Sequence, residues 1–249
     1  MKKVHVSTIP GLKSRIDLIT IFTIAGLALQ AVYTVLGGIT IFKAIVYLVS
    51  AGANVLLIYN LYATLKRERT FEALDAISKT LKVIFICACV FLGFMGLLVL
   101  LCIIILLIGG AQAGEMWICT VLMAIPTSQM FIRVKYYNHT SRFAKQLEND
   151  EYDGSETPET WAIICAASYI VYLLVMLILT FATPAVTELD QSNNLQRLMA
   201  QLADTITKRN NNMLISILTH VTSVLQCASC YAVYLLLKTV RLNMPVPKK

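Results

Sequence analysis

The sequence predicts an all-α, polytopic integral membrane protein of six transmembrane helices, arranged as three helical hairpins with both termini in the cytosol. Three observations predict it. Of 249 residues, 57% are hydrophobic and 14% charged, whereas an average soluble domain carries about 25% charged residues. The apolar residues fall in blocks that reach or exceed the roughly 20 residues a spanning helix needs. The cations flank those blocks, so the net charge of +7 reads as topology information and not as a nucleic-acid-binding face.

Residues 1–16 form a cytosolic segment carrying Lys2, Lys3, Lys13 and Arg15. The apolar sequence that follows outruns a signal peptide and shows no small-residue cleavage site, so a retained first span is expected. The block 17–63 is too long for one helix and is broken by Gly37 and Gly38, residues suited to a tight turn. It divides into spans at 17–36 and 39–63. The connector 64–80 is polar and amphipathic, with Phe71, Leu74, Ile77 and Leu81 recurring at helical spacing, and predicts a short cytosolic helix.

The second hairpin, 81–132, holds a strongly apolar third span at 81–108 and a weaker fourth at 116–132, which Pro126 and Thr127-Ser128-Gln129 interrupt. Lys79 and Lys82 precede this hairpin, and Arg133, Lys135, Arg142 and Lys145 follow it. With both flanks basic, an even number of crossings separates them, so the fourth segment is expected to cross. The linker 133–159 ends in Glu148, Asp150, Glu151, Asp153, Glu156 and Glu159; such an acidic run predicts a solvated, mobile stretch. The third hairpin, 160–237, has spans at 160–183 and 213–237, and 238–249 is a basic cytosolic tail. Counted this way, 17 Lys and Arg residues lie in cytosolic segments and three in outer ones.

The outer segment 184–212 carries Leu195, Leu198, Met199, Leu202 and Ile206 at i, i+3, i+4, i+7 and i+11, one apolar stripe on a helix. It is a candidate docking helix for the membrane face or a partner. Ionisable and polar groups inside a span are the other candidates. The second span places Lys43, Tyr47, Ser50 and Asn54 on one face, and the sixth offers His220, Ser223 and Gln226 on a polar flank. If those faces meet, they line a polar path or a small-ligand site. Otherwise they serve as interhelical hydrogen-bond contacts worth on the order of 0.6 kcal/mol each, with Lys43 snorkelling to the interface.

The seven cysteines all lie in or beside apolar blocks, which argues against a disulfide framework. Cys227 and Cys230 have C-x-x-C spacing but no second pair, and read as small buried hydrophobes. Cys87, Cys89 and Cys165 stand near cytosolic helix ends, where S-palmitoylation occurs. The sequon Asn138-His139-Thr140 falls on the cytosolic side and is expected to stay unglycosylated. Small residues at Ala51-Gly52-Ala53, at Gly93 and Gly96, and at Ala166-Ala167-Ser168 allow close helix approach.

No nucleophile elbow, metalloprotease helix or phosphate-binding glycine loop is present, so no enzymatic activity and no cofactor or metal is expected. The outer segment lacks the cysteines of tetraspanins and claudins, and the repeated signatures of mitochondrial carriers and aquaporins are missing. The expected function is that of a non-catalytic structural or assembly subunit of a larger membrane complex, in the plasma membrane or an endomembrane. Its partners would be the lipid bilayer and other membrane subunits or further copies of itself, and not nucleic acid. The alternative is a small channel or transporter with a polar path between helices 2 and 6.

Overall fold

In lipid every backbone N–H and C=O must be satisfied within the chain, which leaves helices as the only economical form for these apolar blocks. The computed structural model describes residues 6–36, 41–109, 116–149, 156–186 and 213–244, and among them every regular element is helical. Six long helices run α1 Leu12–Leu36, α2 Ile41–Ala63, α3 Thr70–Gly109, α4 Met116–Glu148, α5 Pro158–Val186 and α6 Met213–Asn243. Short 3₁₀ turns at Val6–Thr8 and Arg67–Arg69 precede α1 and α3. Among the described residues, five helices are long and apolar enough to cross a membrane: all except α4.

The helices form a closed ring. Each packs on its neighbours in sequence, α1 on α2 through to α5 on α6, and α6 returns to pack on α1. Each therefore needs one stripe facing inward and leaves the rest to lipid. Along α1 the stripe is Leu12, Ile16, Ile19, Thr23, Leu27 and Gln30, and along α2 it is Ser50, Asn54, Leu57 and Leu61. Large apolar side chains such as Val90, Phe94, Leu97 and Leu107 of α3 are exposed on the outer circumference, as a lipid-facing surface requires.

At the end of the ring that carries the basic residues, bulky apolar side chains crowd the centre and narrow the space between the helices. Ile16, Ile19, Leu74, Phe143, Leu236 and Val240 meet there in one buried cluster. Val6 and Ile9 close it from below, because Gly11, at a φ of 74°, folds the preceding residues back under α1. Such a backbone conformation suits glycine. The N-terminal segment is thus no simple polar flank: α1 begins at Leu12, earlier than the expected 17, and residues 6–16 supply core.

Continuity is the main departure from expectation. The connector helix and the third span are a single 40-residue helix, α3, about 60 Å long and roughly twice the hydrocarbon thickness. Nothing between Thr70 and Lys82 breaks it, since that stretch has neither glycine nor proline. Leu74, Ile77 and Leu81 of the expected stripe are buried, while Phe71 is exposed. Helix α4 likewise continues through Pro126 and beyond residue 132 to Glu148, and α6 carries the first part of the basic tail to Asn243.

Polar ties stitch the same end of the ring. Ser78 of α3 and Ser141 of α4 exchange hydroxyl-to-carbonyl hydrogen bonds of 3.0 and 2.9 Å. The Tyr62 hydroxyl of α2 donates to Asp17 of α1 at 2.6 Å, and the Thr23 and Ser229 hydroxyls link α1 to α6 at 3.1 Å. Glu159, buried in the first turn of α5, pairs with Arg241 of α6. Glu156 pairs with His139, which stacks on Trp161, and with Arg142 at 3.7 Å. The expectation of a solvated, mobile acidic run therefore fails at Glu156 and Glu159, where basic partners hold both carboxylates in place, and at Glu148, which Lys145 holds at 2.8 Å. Asp150, Glu151 and Asp153 lie outside the described residues.

Ile16 is fully buried at the centre of the packed end. Ile16→Ala is expected to destabilise the fold by about 2–5 kcal/mol, read as a large fall in thermal unfolding midpoint in detergent. A midpoint within one degree of wild type would show that this core is not formed.

Candidate functional site

Beyond the packed end, the inward stripes change character. On α1 the sequence passes from Ile16 and Ile19 to Thr23, Gly26 and Gln30, and on α2 the stripe passes from Leu61 and Leu57 to Asn54 and Ser50. The small and polar side chains leave the axis unfilled, and a cavity of about 320 Å³ runs along the inside of the ring. All six helices contribute to its wall. Helix α3 offers only Leu74, Ile77 and Leu81, whereas α6 presents Gln226, Ser229 and Cys230, and α4 presents Arg133, Tyr136, Tyr137 and Thr140.

Three of the residues singled out from sequence converge on this space: Ser50 and Asn54 from one wall and Gln226 from another. Asn54 donates to the Ser50 carbonyl oxygen at 2.8 Å, which fixes its amide along the helix. Tyr47, from the same predicted face, reaches instead across to α1, where its hydroxyl donates to the Leu27 carbonyl oxygen at 3.1 Å. Ser223 is buried in α6 and donates to the Thr219 carbonyl oxygen; neither it nor His220 lines the cavity. Lys43 lies in the first turn of α2, with its side chain outside the described set. The outer stripe of Leu195, Leu198, Met199, Leu202 and Ile206 also lies outside the described residues.

The residue that sequence reading placed elsewhere is Arg133. As a cation just past the fourth span it counted as a topology determinant, yet among the described residues it is the single charged one on the cavity wall. Its guanidinium carbon lies 4.9 Å from the centre of the Tyr169 ring. Its Nε–H is enclosed without a hydrogen-bond acceptor, and among the described residues no carboxylate pairs with it. The signal that could have revealed it is spacing: Arg133, Tyr136, Tyr137 and Thr140 fall at i, i+3, i+4 and i+7, so one face of α4 carries all four.

The cysteines also separate by position. Cys230 faces Cys165 on α5, with sulfurs 3.7 Å apart, and not its C-x-x-C neighbour. Cys165 is buried, which removes it from the set open to acylation, while Cys87 is exposed. Among the described residues no three His, Cys, Asp or Glu side chains gather as a metal site. The described residues of the cavity wall offer shape, hydrogen bonding and one positive charge, the equipment for binding.

Compared with known proteins, the chain matches no family model, no curated sequence and no solved structure.

The Cys165–Cys230 approach tests the α5–α6 register directly. Mild oxidation of the otherwise unmodified protein is expected to join the two, seen as loss of two maleimide-reactive thiols in the denatured chain and abolished by Cys165→Ser. Full labelling of both after oxidation would contradict the packing of these helices.

Proposed function

We propose that the protein is a non-catalytic membrane carrier or channel, with six spans and a cytosolic basic end, that takes a small solute into the centre of its helix ring. The observation that carries this reading is the cavity itself: about 320 Å³, within the range of small-molecule sites, with Ser50, Asn54 and Gln226 on its walls. Thr23 and Ser229 are used in an interhelical tie, whereas Gln226 lines the cavity without a hydrogen bond to another described residue, so its polarity supports a ligand better than it supports helix packing. Charge parity supports counting α4 as a crossing despite its polar second half, because the α3–α4 hairpin has basic residues before it, at Lys79 and Lys82, and after its apolar stretches, from Arg133 to Lys145.

Gly26 supplies the test. It lines the cavity, and a Cβ at that position would meet no heavy atom within 4 Å. Gly26→Leu should thus start its side chain into open space and occupy the cavity, and a helical Gly replaced by a better helix former should hold or raise thermal stability. In proteoliposomes supplied with a mixture of small anions, cations and neutral solutes, wild type is expected to add flux over empty vesicles, and Gly26→Leu to abolish at least nine-tenths of it. No added flux by wild type, or equal flux by the variant, would overturn the reading.

A second reading, an assembly subunit, draws on α3. Cβ atoms at Gly93 and Gly96 would also meet nothing within 4 Å, so the close approach these residues permit is not used among the described residues. By contrast Ala162 and Ala166 of α5 are buried against their neighbours. If α3 docks on a second subunit, Gly93→Leu with Gly96→Leu should leave the unfolding midpoint unchanged and convert an oligomer to monomer in native mass spectrometry. A wild-type monomer would dismiss it.

A further inference from the structure

Among the described residues the cavity wall contains one charge and no counter-charge. Every described carboxylate is engaged elsewhere or exposed: Asp17 accepts from Tyr62, Asp75 pairs with Lys79 and Lys145, Glu156 with His139 and Arg142, and Glu159 with Arg241. Glu148 is held by Lys145, and Glu68 and Glu72 are exposed. A guanidinium taken from water into such surroundings carries a desolvation cost of several kcal/mol unless an anion meets it. The Tyr169 ring lies against the guanidinium carbon at 4.9 Å, and the guanidinium N–H donors, which no carboxylate meets among the described residues, suit a planar or tetrahedral oxyanion.

Other donors stand idle in the same space. The side chains of Tyr136, Tyr137 and Gln226 line the cavity and make no hydrogen bond with any described residue. The remaining wall is largely aliphatic, from Ile19 and Leu57 to Leu81. A volume of about 320 Å³ corresponds to roughly ten water-sized units.

From this we infer that the cavity binds a monovalent organic anion of about ten heavy atoms, its carboxylate head on Arg133 and its apolar body along the aliphatic wall. One lining cation matches one negative charge, and the oily wall disfavours an inorganic ion. The inference rests on the reading of the cavity as a binding site, and deepens it by naming the ligand class.

The test uses the full chain, purified in a steroid-based detergent without alkyl chains, and three probes: octanoate, octan-1-ol as its neutral counterpart, and inorganic phosphate. Wild type is expected to bind octanoate at least tenfold more tightly than octan-1-ol and phosphate not measurably. Arg133→Gln should weaken octanoate binding about ten- to hundredfold, the range for a charge-assisted hydrogen bond, and leave octan-1-ol unchanged. Arg133→Lys, which keeps the charge but loses the fork, should retain part of the preference and guards against misfolding as the cause. Gly26→Leu should block octanoate and octan-1-ol alike.

Equal binding of octanoate and octan-1-ol, or a preference that survives Arg133→Gln, would overturn the anion assignment while Gly26→Leu still reports the cavity. Phosphate binding as tightly as octanoate would overturn the apolar body. Failure of both octanoate and octan-1-ol to bind would overturn the cavity reading itself.

Discussion

In hydrocarbon an unsatisfied backbone amide or carbonyl costs several kcal/mol, and no water is present to relieve it. Once the chain commits its backbone to helices, side chains alone decide how they assemble, and lipid is as good a neighbour for leucine as another leucine. Packing must then come from shape and from polar ties. The ring reflects this: small residues Ala162, Ala166 and Ala232 lie buried in α5 and α6, Ser78 and Ser141 interlock α3 and α4, and Thr23 with Ser229 closes α6 onto α1. All of these sit nearer the basic end, where the apolar cluster under Val6 and Ile9 also lies.

That concentration has a structural consequence for the axis. A ring of six helices has a centre too wide for its own side chains unless bulky residues point inward. At the packed end they do, through Ile16, Leu74, Phe143 and Leu237. Farther along, Gly26, Ser50, Asn54 and Ser229 replace them, and the same geometry that made a core makes a cavity. The wall and the core are therefore one continuous feature, with residue volume as the variable that separates them.

Much of this was legible in the residues. The long apolar helices followed from apolar run length, and the helical connector from Leu74, Ile77 and Leu81, because both depend on local pattern alone. The polar stripe of α2 was visible as Ser50 and Asn54, and Gln226 as its counterpart on α6, since period and polarity are sequence properties. Three features were not legible. The fusion of connector and third span into α3 depended on the absence of a breaker between Thr70 and Lys82, a negative signal that polarity obscured. The fold-back of residues 6–11 needed Gly11 in a left-handed conformation, which one glycine beside one proline announces only weakly. The closure of α6 onto α1 joins residues 206 positions apart, and nothing local encodes it.

Arg133 shows why flanking charge and site chemistry are hard to separate in a membrane protein. A cation at a span end serves orientation wherever its side chain turns, and in the six-span reading of the sequence the count without Arg133 is still 16 basic residues in the expected cytosolic segments against three in the outer ones. Orientation therefore does not require it, and it is free to turn inward. Its neighbours decide that it does: Tyr136, Tyr137 and Thr140 share its helical face, and Tyr169 lies beneath its guanidinium. Lys135, two positions along and on another face, instead lies near the Phe131 ring, its Nζ 5.6 Å from the centre. Two cations of one cluster thus take opposite roles, and helical phase, not charge, distinguishes them.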